Sequence, residues 1–155
     1  MELTVKTLEE FLESEGKLTY SNVGTSMMPL LKQGRDLFTL EKRGDREIKK
    51  YDVVLFRRAK GQRVQYVLHR VVKAVPDDYT ILGDNCTAKD FHVRDNDVLA
   101  VMTEYVRKGK LHTVEERGYK IYSRLVVAAY PARRVLGAVK GFVKTVFHRF
   151  GFGGY

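Results

Sequence analysis

A chain of 155 residues that is 44% hydrophobic and 30% charged suits one globular domain with a sizeable core and one appendage, and excludes a disordered chain. Its single cysteine, Cys86, excludes an intramolecular disulfide framework and a multi-cysteine zinc site. The net charge of +9 is unevenly spread: from Arg117 onward there are eight basic residues and no acidic one, leaving 20 basic against 19 acidic before it, so whatever the charge attracts, the C-terminal part attracts it.

The opening "MELTVKTLEEFLESEG" is acidic and amphipathic, without the basic and apolar regions of a secretory signal. Within it "TLEEFLESEG" predicts a short helix, with Leu8, Phe11 and Leu12 on one face, a capping-box pattern from Thr7 to Glu10, and Gly16 as its stop. Next comes "NVGTSMMPLL", residues 22 to 31, which reads as a turn: Gly24 tolerates unusual dihedrals, Pro29 stops regular structure, and Thr25 and Ser26 can bond nearby backbone. The segments "DLFTLEK", "DVVLFRR", "RVQYVLHRVVKAV", "YTILGD", "VLAVMTEYV" and "KLHTVEE" follow, joined at Arg43-Gly44-Asp45, Lys60-Gly61, Pro76-Asp77-Asp78 and Lys108-Gly109. Short strands with short turns predict a mainly β, antiparallel body built of hairpins.

The composition divides the chain into an N-terminal helix and lead-in (1–19), a β body (20–116) and a basic tail (117–155). In the tail, "YKIYSRLVVAAY" predicts one helix and "PARRVLGAVKGFVKTVFHRF" a second. In the second, Val135, Leu136, Val139, Phe142, Val143, Val146, Phe147 and Phe150 recur at three- and four-residue steps, Arg133, Arg134, Lys140, Lys144 and Arg149 lie largely off that stripe, and Pro131 suits the first turn. Such a basic amphipathic helix packs on its own domain, lies in an anionic membrane surface (here through residues 131–150), or binds an acidic partner or nucleic acid. The longest uncharged apolar stretch of the tail, "LVVAAYPA", is far short of the ~20 residues of a membrane span.

Two polar clusters interrupt the apolar strands. His69 stands among Val67, Leu68, Val71 and Val72, and "ILGDNCTAKD" ends a strand in Gly83-Asp84-Asn85, with Asp90 six residues after Asp84. Singly, these read as a hydrogen-bonded strand histidine and a solvated turn. Together with Ser26 they are the parts of a nucleophilic site: the hydroxyl needs a base to remove its proton, and the base needs a carboxylate to fix its tautomer.

The run "GTSMMPLL", "YDVVLFRR", "LHRVV" and "ILGDN" with Asp90 beyond it resembles the catalytic domain of the signal peptidase I superfamily, which includes the self-cleaving domain of LexA-type repressors. The chain is most similar to the serine-histidine branch of archaea and the endoplasmic reticulum, because His69 stands where the bacterial branch has lysine, and the similarity spans roughly residues 20 to 107. The resemblance implies a LexA-like antiparallel β fold and a serine endopeptidase acting on a protein or peptide. It assigns Ser26 as nucleophile, His69 as general base, Asp90 as the residue orienting His69, and Asp84 as a catalytic-site brace. Asp52 falls in a structural box. The resemblance also implies the Ser26 amide as oxyanion donor with Thr25 as helper, and Met27 and Met28 are candidates either for lining the substrate pockets or for the core. Small residues such as alanine are then expected one and three positions before the cut.

Three departures qualify the likeness. Gly24 replaces a serine that many members carry two positions before the nucleophile, as in LexA-type domains; Cys86 replaces the second asparagine of a Gly-Asp-Asn-Asn box; and only 25 residues precede Ser26, with no transmembrane anchor. A cytoplasmic protease is therefore expected, free or peripheral at the inner membrane face, with no cofactor and no metal. LexA-like repression is not expected, since no helix-turn-helix fits in the first 20 residues, and nucleic acid is the least expected of the tail's partners. A catalytically silent relative that binds a peptide or membrane through the β cleft and tail is the alternative; oligomeric state and substrate are not legible.

Overall fold

The computed structural model describes residues 5 to 149, with side chains described from 8 to 145. Helix α1 (Val5–Glu15) leads into strands β1 (Lys17–Ser21), β2 (Leu37–Lys42), β3 (Val53–Lys60), β4 (Arg63–Val75), β5 (Asp78–Leu82), β6 (Asp90–Val93), β7 (Val98–Arg107) and β8 (Lys110–Thr113), then helices α2 (Arg117–Ala128) and α3 (Tyr130–Arg149). A single 3-10 turn, Asp95–Asp97, precedes β7. All strand pairs are antiparallel, in the order β1-β2-β7-β3-β4-β5-β6, with β8 also on β7.

The centre of the sheet explains why "VVLF" carries no polar residue. Along β3, Val53 and Leu55 enter one apolar cluster, with Leu12, Met27, Leu30, Leu31, Leu40 and Met102, while Val54 and Phe56 enter another, with Val71, Ile81 and Val101. Alternate side chains leave opposite faces of a strand, so burying both faces demands an unbroken apolar run. Each such buried side chain contributes about 1.5–3 kcal/mol, and β3 is thereby a fixed rail for β4, which pairs with it from Arg70 to Arg63. Only the C-terminal part of β4, from Arg70, also pairs with β5.

The strands predicted from "DLFTLEK" through "KLHTVEE" all form. Two more were not legible: Lys17–Ser21 pairs with β2 at every position although it is mostly exposed, and the four-residue β6 pairs with β5 at Tyr79↔Val93 and Ile81↔Asp90. Main-chain bonding, not an apolar period, holds both. Helix α1 already includes Val5, which places Thr7 inside it rather than at a cap. It does stop at Gly16, whose φ of 69° is in the left-handed region and whose amide donates to the Leu12 carbonyl at 2.9 Å.

The charge boundary near residue 116 is not a packing boundary. Helix α2 buries Tyr119, Ser123 and Val126, and Tyr119 belongs to the cluster that holds Met27 and Leu30. Helix α3 differs: Val135, Leu136, Val139, Phe142 and Val143 are all exposed. The Val146, Phe147 and Arg149 side chains and all of Phe150 lie outside what is described. Among the described residues no helix is long and apolar enough to cross a membrane.

Candidate active site

Four chain segments converge beside the middle of β4. The first is the turn after β1. Asn22 is buried, and its side-chain amide donates to the carbonyls of Gly24 (3.1 Å) and Leu31 (3.2 Å), closing the turn from within. Gly24 adopts φ 86° and donates its amide to Gln33 Oε1 at 2.9 Å; a serine there would be strained, which gives a physical reason for glycine at this position. Met27, Leu30 and Leu31 are almost wholly buried in the core and leave Ser26 half-buried at the rim. Met27 therefore anchors the turn that carries Ser26 and does not line a pocket. Met28 is half-buried and likewise lines none of the clefts described below.

The second segment is β4 itself. Alternation sends His69 and Arg70 to opposite faces. His69 is 5% exposed and its Nδ1 lies 3.3 Å from Asp90 Oδ2. Asp90, the first residue of β6, also accepts from Arg58 Nη1 at 3.0 and 3.3 Å, so a residue of β3 holds the carboxylate in place. Burial lowers the His69 pKa from its ordinary 6.5, against Asp90, which raises it, and with Arg58, which lowers it further. At neutral pH the imidazole is the free base, the form that accepts a proton.

The third segment, Gly83 to Cys86, is stapled to the first: the Asn85 amide donates to the Ser26 carbonyl at 2.8 Å, and Asn85 Nδ2 to the Thr25 carbonyl at 3.2 Å. Gly83 passes through a gap with no room for a side chain. A Cβ there would stand 2.6 Å from Cys86 Sγ, 2.9 Å from His69 Nε2 and 2.9 Å from the Ser26 carbonyl oxygen. Gly83, Ser26, His69 and Cys86 thus share one small volume. The Cys86 thiol is pushed up in pKa by burial and then by Asp90, so it stays protonated rather than becoming a thiolate.

Asp84 serves elsewhere. It is 3% exposed and receives Arg70 Nε and Nη2 at 2.8 Å each, and the Tyr122 hydroxyl at 2.9 Å. Arg70, fully buried, also donates from Nη1 to the Tyr51 carbonyl (3.1 Å), the Tyr119 hydroxyl (3.1 Å) and Ser123 Oγ (2.8 Å). This is the fourth segment: helix α2 is clamped behind the site by a buried bidentate ion pair. Desolvation opposes the Arg70 charge, and Asp84 outweighs it, raising the guanidinium pKa. Asp84 therefore braces the loop from the rear, and Asp90 is the carboxylate at the histidine. Asp52 sits outside the constellation, accepting the Lys49 amide at 2.9 Å, while its carbonyl accepts from Val71 at 2.7 Å.

Ser26, Arg58, His69, Asn85 and Cys86 open onto one cleft of about 750 Å³. Neither the Ser26 hydroxyl, the Ser26 amide nor His69 Nε2 hydrogen-bonds to another described residue. A serine and a neutral base oriented by a carboxylate thus border the same space, with Thr25 exposed beside them. Adjoining the cleft is an apolar pocket of about 320 Å³ walled by Leu18, Tyr20, Val23, Phe38 and Leu68. Those residues, not the methionines, are placed to receive an apolar side chain. Among the described residues no group of histidine, cysteine, aspartate or glutamate is arranged to hold a metal ion.

Arg58, Gly83, Asn85 and Arg70 belong to this site although sequence patterns single out none of them as functional. Gly83→Ala is expected to reduce any activity of the cleft by at least about a hundredfold, because a backbone carbonyl and the histidine must both shift. The melting temperature should also fall by several degrees, as overpacking typically costs about 1–3 kcal/mol. Kinetics and a melt on this one variant check it, and a wild-type result in both would contradict the crowding. No family model, curated protein or solved structure matches the chain.

Proposed function

We propose that the protein is a serine endopeptidase of signal peptidase-like type, with a LexA-like β fold. The observation that carries this reading is the convergence of Ser26 and His69 on one cleft, with His69 Nδ1 turned to Asp90. In the proposed reaction His69 Nε2 takes the Ser26 proton as Oγ attacks a peptide carbonyl. The Ser26 amide donates to the resulting oxyanion, and the imidazolium, stabilised by Asp90, gives its proton to the leaving amine. Water then repeats the sequence on the acyl-enzyme and releases the second product.

The substrate is an extended peptide. The stretch of β4 from Arg63 to Leu68 pairs with β3 on one side, and β5 begins its pairing only at Arg70, so a peptide can add as a strand along this edge and meet Ser26. Small residues such as alanine are expected one and three positions before the cut. A peptide library tests the assignment: cleavage after small residues that is lost in Ser26→Ala supports it, and preferential cleavage after large aromatic or basic residues contradicts the specificity.

The pH profile follows from the burial of His69. Because burial holds its pKa below 6.5, kcat/KM should rise with pH to a plateau with a midpoint under that value. In Asp90→Asn the midpoint should move lower still, since the carboxylate that favours imidazolium is gone, and the plateau should drop by roughly 10³–10⁴-fold. Stability has the same sign. The unfolded chain takes up a proton near 6.5 that folded His69 refuses, so this contribution is present above 6.5 and is lost as pH falls toward the lower folded value. An activity that peaks in acid and declines toward neutrality would contradict His69 as base.

A further inference from the structure

Helix α3 carries an apolar stripe that no other described residue covers. Val135, Leu136, Val139, Phe142 and Val143 are 63%, 60%, 53%, 70% and 44% exposed, at the spacing of one helical face. Over its first turns, the other side of the helix touches the rim of the site. A Cβ at Gly137 would lie 3.3 Å from Thr87 Cγ2, the Tyr130 hydroxyl donates to the Thr87 carbonyl at 2.9 Å, and Lys89 Nζ stands 4.4 Å over the Tyr130 ring. Thr87 is itself a wall of the cleft that holds Ser26 and His69. The helix is therefore tied to the cleft rim with its apolar face turned outward.

Charge selects what that face meets. Arg134, Lys140 and Lys144 are exposed beside or behind the stripe, and from Arg117 onward there is no acidic residue. A second copy laid stripe to stripe would bring together two helices of the same sign with no counter-charge in either. The preceding part of the chain, nearly balanced at 20 basic to 19 acidic, offers no net negative field. An anionic bilayer satisfies both faces: the stripe enters the acyl boundary while the ammonium and guanidinium groups meet lipid phosphates. We propose that α3 is an interfacial helix that lies in an anionic membrane surface and holds the cleft beside it. Resting on the endopeptidase reading, the substrate class is then a peptide presented at that surface.

Binding is tested separately from catalysis, by co-sedimentation of the full chain and of its Ser26→Ala variant with vesicles of phosphatidylcholine, pure or mixed with phosphatidylglycerol. Both proteins should bind the mixed vesicles alone, and added salt should weaken binding. Lys140→Gln with Lys144→Gln should reduce partitioning about thirtyfold at low salt, given the ~1 kcal/mol that each basic residue contributes near such a surface. Leu136→Ser with Phe142→Ser should reduce it at least about a hundredfold at every salt concentration, with an unchanged melt because both side chains are exposed. No binding to the mixed vesicles would overturn the proposal, as would full binding by the Leu136/Phe142 variant. So would a dimer in sedimentation velocity that this same variant dissolves, since a second copy would then cover the stripe. Equal vesicle binding with no labelling or cleavage would overturn the endopeptidase reading and leave the interfacial helix standing.

Discussion

Ser26→Ala and His69→Ala are each expected to lower peptide cleavage by on the order of 10⁴–10⁶-fold, and the double variant to be little worse than either single one. The reason is that in the proposed mechanism the two groups share one proton transfer; once either is lost, the other has nothing to do. Folding should survive both changes. Ser26 is half-buried at the rim, and removing the His69 ring leaves Asp90 still paired with Arg58 at 3.0 Å, so no carboxylate is stranded. Purified variants with native melts and additive losses would show that Ser26 and His69 act independently, against the proposed mechanism.

Asp84→Asn is expected to act on stability instead. It would leave the Arg70 guanidinium, which is 0% exposed, without its carboxylate. Breaking a buried ion pair from one side costs about 3–5 kcal/mol, which corresponds to a melting temperature lower by about 10 °C for a chain of this size. Activity per folded molecule at low temperature should change far less than in Asp90→Asn. Because the penalty comes from a stranded charge, replacing both partners, Arg70→Met with Asp84→Leu, should recover part of the loss. A dead Asp84→Asn enzyme with a wild-type melt would instead move Asp84 into the reaction and reverse the roles of the two aspartates.

The contrast between these aspartates marks what the sequence can carry. Hydrophobic period located the strands from β2 to β8 that have buried faces, and the order of Ser26, His69, Asp84 and Asp90 was enough to nominate a constellation. The resemblance assigned Asp90 to the histidine, but periodicity alone could not have done so: that placement depends on β6, a strand of only four residues with Asp90 at its start, too short to give a periodic signal. Met27 carried a different ambiguity. A methionine beside Ser26 is chemically suited to a pocket wall and equally to the core, and the turn closed by the Asn22 amide places Met27 inward.

Arg70 was hidden for a related reason. In "LHRVV" a charged residue reads as solvent-facing, and its burial depends on Asp84, Tyr119, Tyr122 and Ser123, the last three lying beyond residue 116. Composition separates body from tail there, because charge is a surface property, whereas the buried clamp joins them. The apolar stripe of α3 was legible as a stripe. Its exposure was not, since period shows that residues share a face and is silent on what that face meets.

The most direct measurement is covalent labelling by an active-site serine reagent, with the modified residue located by peptide mass spectrometry. The predicted result is stoichiometric modification of Ser26 that is lost in His69→Ala, slowed strongly in Asp90→Asn and retained in Cys86→Ser. An unmodified Ser26 in folded protein, or labelling that persists in His69→Ala at the wild-type rate, would contradict an activated serine in this cleft.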